Sequence, residues 1–99
     1  MTFTDPITGL TLGANPSDQI QFNLLAFSFR NRIASDAAKG FSQGYSVTIL
    51  DSSNVLHTMD VQDFFTLMDR YALDPDVGCY PIWLAYVRSM GATDAPIGQ

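Results

Sequence analysis

Apolar residues along this chain follow two spacings, every second position in short stretches and every third or fourth in longer ones. Residues 3–13, FTDPITGLTLG, alternate modestly and are broken by Pro6 and Gly9, which predicts a short hairpin or a pair of edge strands. From Pro16 to Ala34 the spacing becomes helical. Asn15, Ser17 and Asp18 supply capping groups and negative charge at the end where a helix leaves its N–H groups unpaired. At about 100° per residue this helix has two apolar stripes. Ile20, Leu24 and Phe27 form one; Phe22, Leu25, Ala26, Phe29 and Ile33 form the other, on the opposite side. Both must be covered, one by the chain's own sheet and the other by the remaining helices or by a partner.

Residues 34–44, ASDAAKGFSQG, are small and polar and end in glycine, so a helix end and a loop are expected there. Tyr45, Val47 and Ile49 then alternate with Ser46, Thr48 and Leu50. A turn at Ser52 and Ser53 would set Ile49 opposite Leu56, Val47 opposite Thr58 and Thr48 opposite His57, placing the histidine on the polar face of a hairpin. Asp60 stands where a helix N-cap belongs. After it, Val61, Phe64, Phe65, Leu67, Met68, Tyr71 and Ala72 fill an arc of about 160°, opposite Gln62, Asp63, Thr66, Asp69 and Arg70. The run Asp74 to Gly78 breaks this helix. Helical spacing resumes through Tyr80, Trp83, Leu84, Val87 and Met90, with a start near Pro81; Ile82 and Tyr86 widen the apolar arc to about 200°. The expected fold is α+β: a short N-terminal hairpin, a long helix, a β-hairpin and two C-terminal helices packed on a small antiparallel sheet. One domain is expected over residues 1–90, with a flexible tail over 91–99.

Composition sharpens this picture. A chain of 99 residues buries roughly 65% of its unfolded surface, enough for one core. With 46% hydrophobic and 15% charged residues, against about 25% charged in an average protein, it is too apolar for disorder and poor in solvated surface. All ten acidic residues are aspartate and the net charge is −5, with no basic cluster, which argues against binding DNA or RNA through phosphates. A single cysteine, Cys79, gives neither an internal disulfide nor a zinc set. The N-terminal MTFTDPITGL lacks a basic region followed by an apolar core, and no apolar run approaches a membrane span, so a soluble protein made inside the cell is expected.

His57 lies three residues before Asp60, a pairing that suggests a base and its orienting acid, but no activated nucleophile accompanies it. The expectation is a sheet-surface histidine and a capping aspartate. DPDVG, residues 74–78, lacks the further donors and closing glutamate of a calcium loop, and no nucleotide-binding or acyl-transfer motif occurs. No catalytic residue, metal, cofactor or small-molecule substrate is therefore expected. Phe22, Phe29, Tyr80, Trp83 and Tyr86 form the candidate partner interface, because tryptophan and tyrosine left partly exposed are favoured anchors for another protein.

The order GLTLGANPSDQIQFNLLAFSF, then SVTILDSSNVLHTMDVQDFFTLMDRY, then an aromatic closing helix resembles a phage and prophage domain of unknown function, encoded near tail fibres and appended to tail-fibre assembly proteins. The resemblance spans residues 5–90. In that family the hairpin turns on an Asp-Gly sequence and carries a strand tryptophan, whereas here Ser53 and Asn54 occupy the turn and Ile49 the strand position. The segment from turn to cap is also one residue longer. The family carries this unit at the end of a longer chain, and its position here directly after Met1 suggests a dedicated small virion protein or chaperone. The resemblance implies a non-enzymatic tail accessory protein, made in the host cytoplasm and carried on the virion tail. It would dock on a tail fibre, a tail or baseplate protein, or a second copy of itself, with no membrane or nucleic-acid partner. An intracellular inhibitor or immunity-like binding module is the alternative.

Overall fold

The computed structural model describes residues 1–95, and within them the chain forms two hairpins and three helices, an α+β fold. The N-terminal hairpin pairs β1 (Thr2–Thr4) with β2 (Thr11–Gly13) antiparallel, Phe3 opposite Leu12. Its loop closes on Asp5, whose N–H donates to the Leu10 carbonyl at 2.8 Å and whose carboxylate accepts the Thr8 N–H at 2.9 Å. Gly9 supplies the left-handed turn residue at φ 76°. The Asp5 side chain is fully buried and bound side-on by Arg70, Nε at 2.6 Å and Nη2 at 2.9 Å. This guanidinium holds the Asp5 carboxyl well below the usual carboxylate range, against the opposing effect of burial.

The first helix, α1, runs from Pro16 to Ala38, four residues past the expected end at Ala34. Ala34, Ala37 and Ala38 favour continuation, and the stop is set by Gly40 at φ 82°. The Gly40 N–H donates to the Ala37 carbonyl and the Phe41 N–H to the Asp36 carbonyl, a pair of bonds that closes the last turn. The five-membered stripe of α1 faces the core, where Phe22 and Phe29 are half-buried; no residue of the helix is fully buried.

The second hairpin pairs β3 (Ser46–Leu50) with β4 (Leu56–Asp60), with Ile49 opposite His57, Thr48 opposite Thr58 and Val47 opposite Met59. This corrects the expected register by one residue. Three loop residues, 52–54, stand between Asp51 and Val55 instead of two, and Asn54 takes the left-handed conformation at φ 63°. The Asp51 carboxylate accepts the Ser53 and Val55 N–H groups at 2.8 and 3.0 Å, fixing that loop. A one-residue shift turns a side chain to the other face, so His57 lies on the core side with Val47 and Ile49, not on the polar side with Thr48.

The second helix, α2 (Val61–Leu73), starts where Asp60 accepts the Gln62 N–H at 2.9 Å, and buries Val61, Phe64, Leu67, Met68 and Tyr71 as its arc predicts. These side chains meet Phe3, Leu12 and Ala14 from the first hairpin and Val47 and Ile49 from the second. The two hairpins form separate two-stranded sheets, joined by the Ser52 N–H donating to the Thr11 carbonyl at 2.9 Å. Asp74 folds the DPDVG run into a turn by accepting the Asp76 and Val77 N–H groups. The third helix, α3 (Cys79–Ser89), begins two residues before Pro81. Of the expected tail, residues 91–95 are described, with Asp94 bonded to Arg88 at 2.9 Å, and the remainder lies outside the described residues.

Two substitutions test this core. Phe64→Ala removes a ring with no exposed surface and is expected to cost about 3–5 kcal/mol in chemical denaturation. Arg70→Met leaves Asp5 buried without its cation and is expected to cost about 3–5 kcal/mol at pH 7. The folded-state pKa of Asp5 is depressed, so its stabilisation is present above the unfolded value near 3.9 and is lost as pH falls through the folded value. The wild-type chain should therefore lose stability steeply below about pH 4, and Arg70→Met less steeply; parallel slopes would remove Asp5 from this role.

Candidate functional site

Arg70 and Tyr71, neighbours on α2, both tie that helix to the N-terminal hairpin. The Tyr71 hydroxyl donates to the Gly13 carbonyl at 2.7 Å, and its ring stands edge-on between Phe3 and Phe22, with centroids 5.2 Å from each. Burial pushes the Tyr71 hydroxyl far above its ordinary pKa, so it stays a neutral donor. Tyr71, Ala72 and Cys79 form the floor of a groove of about 720 Å³. One wall comes from the chain's start and the first turns of α1, with Met1, Ala14, Pro16, Gln19 and Asn23; the other comes from α3, with Tyr80, Ile82, Trp83 and Tyr86. Gln19 donates to the Ala14 carbonyl at 2.9 Å, and the Met1 amine to Asn15 Oδ1 at 3.2 Å, which secures the first wall.

Three of the five candidate interface residues come together here. Tyr80, Trp83 and Tyr86 are 50, 56 and 61% exposed, and the Tyr80 and Trp83 rings stack with centroids 6.2 Å apart. Among the described residues, no Asp, Arg or Lys side chain lines the groove, and Met1 brings its N-terminal amine to the rim. The geometry has room for aromatic contact with an apolar segment, and the polar groups on its lining are the amides of Asn15, Gln19 and Asn23 and the tyrosine hydroxyls.

Phe22 and Phe29 lie elsewhere. Phe22 packs on Tyr71, and Phe29 on Tyr45 and Phe64 with centroids 6.2 and 6.5 Å away, so both serve the core and not the groove. The exposed α1 residues are those of the other stripe, Ile20, Leu24 and Phe27. The distinguishing sequence signal is stripe size: five apolar residues with two phenylalanines match a core better than three.

The His57 pairing also differs from the sequence expectation. Its Nε2 lies 2.7 Å from Asp51 Oδ2, while Asp60 is occupied as a helix cap. His57 and the Val55 and Ser53 N–H groups hold the Asp51 carboxyl below its ordinary range. The histidine thus completes a loop staple. Cys79 is buried and burial pushes its thiol up, the opposite of an activated nucleophile. Among the described residues, no three His, Cys or acidic side chains gather in a metal-binding cluster, and no helix is long and apolar enough to cross a membrane.

Comparison of the chain with family models, with curated proteins and with solved structures finds no match.

If His57 is a staple, His57→Ala should lower the melting temperature by no more than about 8 °C and leave the folded spectrum of α2 intact. NMR shifts confined to residues around the 51–57 loop are expected. A His57→Ala protein that folds normally but loses partner binding would return the histidine to the functional surface.

Proposed function

We propose that this chain is a non-enzymatic phage tail accessory protein that docks on, or chaperones the assembly of, a tail fibre or neighbouring tail protein. The observation that carries the docking reading is the α3 wall: a tryptophan and two tyrosines, at least half exposed, along a groove with no charged side chain. Supporting the tail assignment is the order of hairpin, capped helix, hairpin and two helices already noted in the sequence. The partner element is an apolar helix or extended segment that fills the groove and covers the stacked Tyr80 and Trp83 rings.

Co-expression with the fibre and baseplate genes that neighbour its own, followed by purification and calorimetry, tests this. A complex is expected that survives purification, with Trp83→Ala weakening it by about 2 kcal/mol or more, roughly 30-fold. Leu56→Asp, on the outer face of the second hairpin, serves as the control surface. Equal binding by wild type and Trp83→Ala would move the site off the groove. Binding to a host enzyme and to no tail component would favour the inhibitor reading.

A further inference from the structure

The second hairpin leaves one edge of β3 unpaired. The Val61 N–H donates to the Tyr45 carbonyl and the Asp51 N–H to the Val55 carbonyl, each at 2.9 Å, so 45 with 61 and 51 with 55 are hydrogen-bonded pairs. Alternation along an antiparallel ladder gives Val47 with Met59 and Ile49 with His57 the same status. The backbone groups of Ser46, Thr48 and Leu50 therefore point away from β4. The Thr48 and Thr58 hydroxyls, 2.8 Å apart, fit the closer side-chain spacing of a pair without backbone bonds. Among the described residues, the outward N–H and C=O groups of Ser46, Thr48 and Leu50 have no hydrogen-bond partner. Nor does the strand carry a device that closes such an edge, since Ser46–Leu50 holds no charged residue and no proline. Just beyond it, the Ser52 N–H already donates to the Thr11 carbonyl of the first hairpin at 2.9 Å, the first bond of a strand pairing on this edge.

The edge opens onto a cavity of about 400 Å³ between β3 and α1. Thr48 and Leu50 line it from the strand, Phe22 and Leu25 from the core-facing stripe of the helix, and Asp18 and Asp51 add two carboxylates. Among the described residues, no Lys or Arg lines it. Asp51 is spent on His57 and its own loop, whereas Asp18 gives one oxygen to the Asn15 N–H and keeps the other. We propose that β3 takes up an extended segment of another protein as a third strand, with apolar side chains toward Phe22 and Leu25 and a lysine or arginine beside Asp18. The open groups recur at every second residue, roughly 7 Å apart, a spacing that another extended backbone matches. A helix cannot match it, because its own backbone groups are spent internally. On the added strand, side chains level with Ile49 point to the core side and those level with Thr48 and Leu50 to solvent, so the segment alternates apolar and polar. Charge decides its source. A second copy pairing through its own β3 would bring two more carboxylates to the cavity and set one net charge of −5 against another, whereas a basic segment is complementary. The inference is independent of what occupies the α3 groove.

The probe is a capped peptide of alternating valine and threonine with lysine at each end, KVTVTVK, titrated into isotope-labelled protein and followed by NMR. Saturable shifts are expected at Ser46, Thr48 and Leu50, whose amide hydrogens should then exchange with deuterium more slowly. The same peptide N-methylated throughout should not bind. Thr48→Pro removes an outward N–H without touching the ladder to β4, and should weaken binding at least about tenfold. Thr58→Pro makes the same change on the opposite edge and loses the same hydroxyl contact, so it should leave binding unchanged. Asp18→Asn should weaken binding about threefold, as an ion pair near solvent is worth little. No binding of the peptide to the wild-type chain, equal binding to Thr48→Pro, or shifts centred on Trp83 instead of β3 would each overturn the inference. Slow exchange at Ser46, Thr48 and Leu50 in a dimer formed without peptide would overturn it too, by giving the edge to a second copy. The N-methylated peptide and the exchange pattern decide the matter even if Thr48→Pro fails to fold.

Discussion

The fold depends on a carboxylate with no exposed surface. Asp5 has to be ionised to bind Arg70, and an ionised carboxylate in a core is costly unless nearly every lone pair is used. Here Arg70 takes both oxygens and Thr8 adds its N–H. The two residues are 65 positions apart in the chain, so the pair locks the end of the first strand to the last turn of α2. Once locked, Gly13 stands within reach of the Tyr71 hydroxyl, Phe3 meets the Tyr71 ring, and the chain enters α1 beside the future groove. The floor and one wall of the candidate site are thus consequences of a single ion pair.

The opposite wall is held far less firmly. An 11-residue helix is shorter than the roughly 12–15 residues at which isolated helices become even marginal, so α3 needs tertiary burial to persist. Its only buried residue is Cys79, at its first position, and the widest part of its apolar arc faces the groove. Gly78 allows the tight turn that delivers it; a Cβ there would lie 2.6 Å from the Asp74 backbone. A ligand that filled the groove would supply the burial that α3 lacks and would stabilise this helix.

Periodicity was sufficient for α2 because one clean arc and one acidic cap point the same way: Phe64 and Met68 are in the core and Asp60 is the cap. It was insufficient for the second hairpin. Alternation in β3 and β4 fixes which residues share a face within each strand, but register depends on whether the loop holds two residues or three, and Ser52, Ser53 and Asn54 permit either. The Asp5–Arg70 pair had no local signature at all, because nothing in the spacing of either residue refers to the other. For α1, both stripes were visible in the sequence, but which one faces inward is decided by Tyr71 and Phe64 on another helix.

The absence of glutamate has a structural reading that links these features. Five of the ten aspartates accept backbone N–H groups close to them in sequence: Asp5 from Thr8, Asp18 from Asn15, Asp51 from Ser53 and Val55, Asp60 from Gln62, and Asp74 from Asp76 and Val77. The short aspartate side chain reaches such donors without a further methylene to order, whereas glutamate is better suited to exposed helix faces. Half of the acidic charge is therefore committed to turns and helix starts. The outward face of α1 and the wall of α3 are left with aromatic, aliphatic and amide groups. In a protein meant only to be solvated, these two helix faces are where charge would be placed first. Acidic charge is thus concentrated at the chain's corners, and Ile20, Leu24 and Phe27 of α1 and Tyr80, Trp83 and Tyr86 of α3 stay exposed without it.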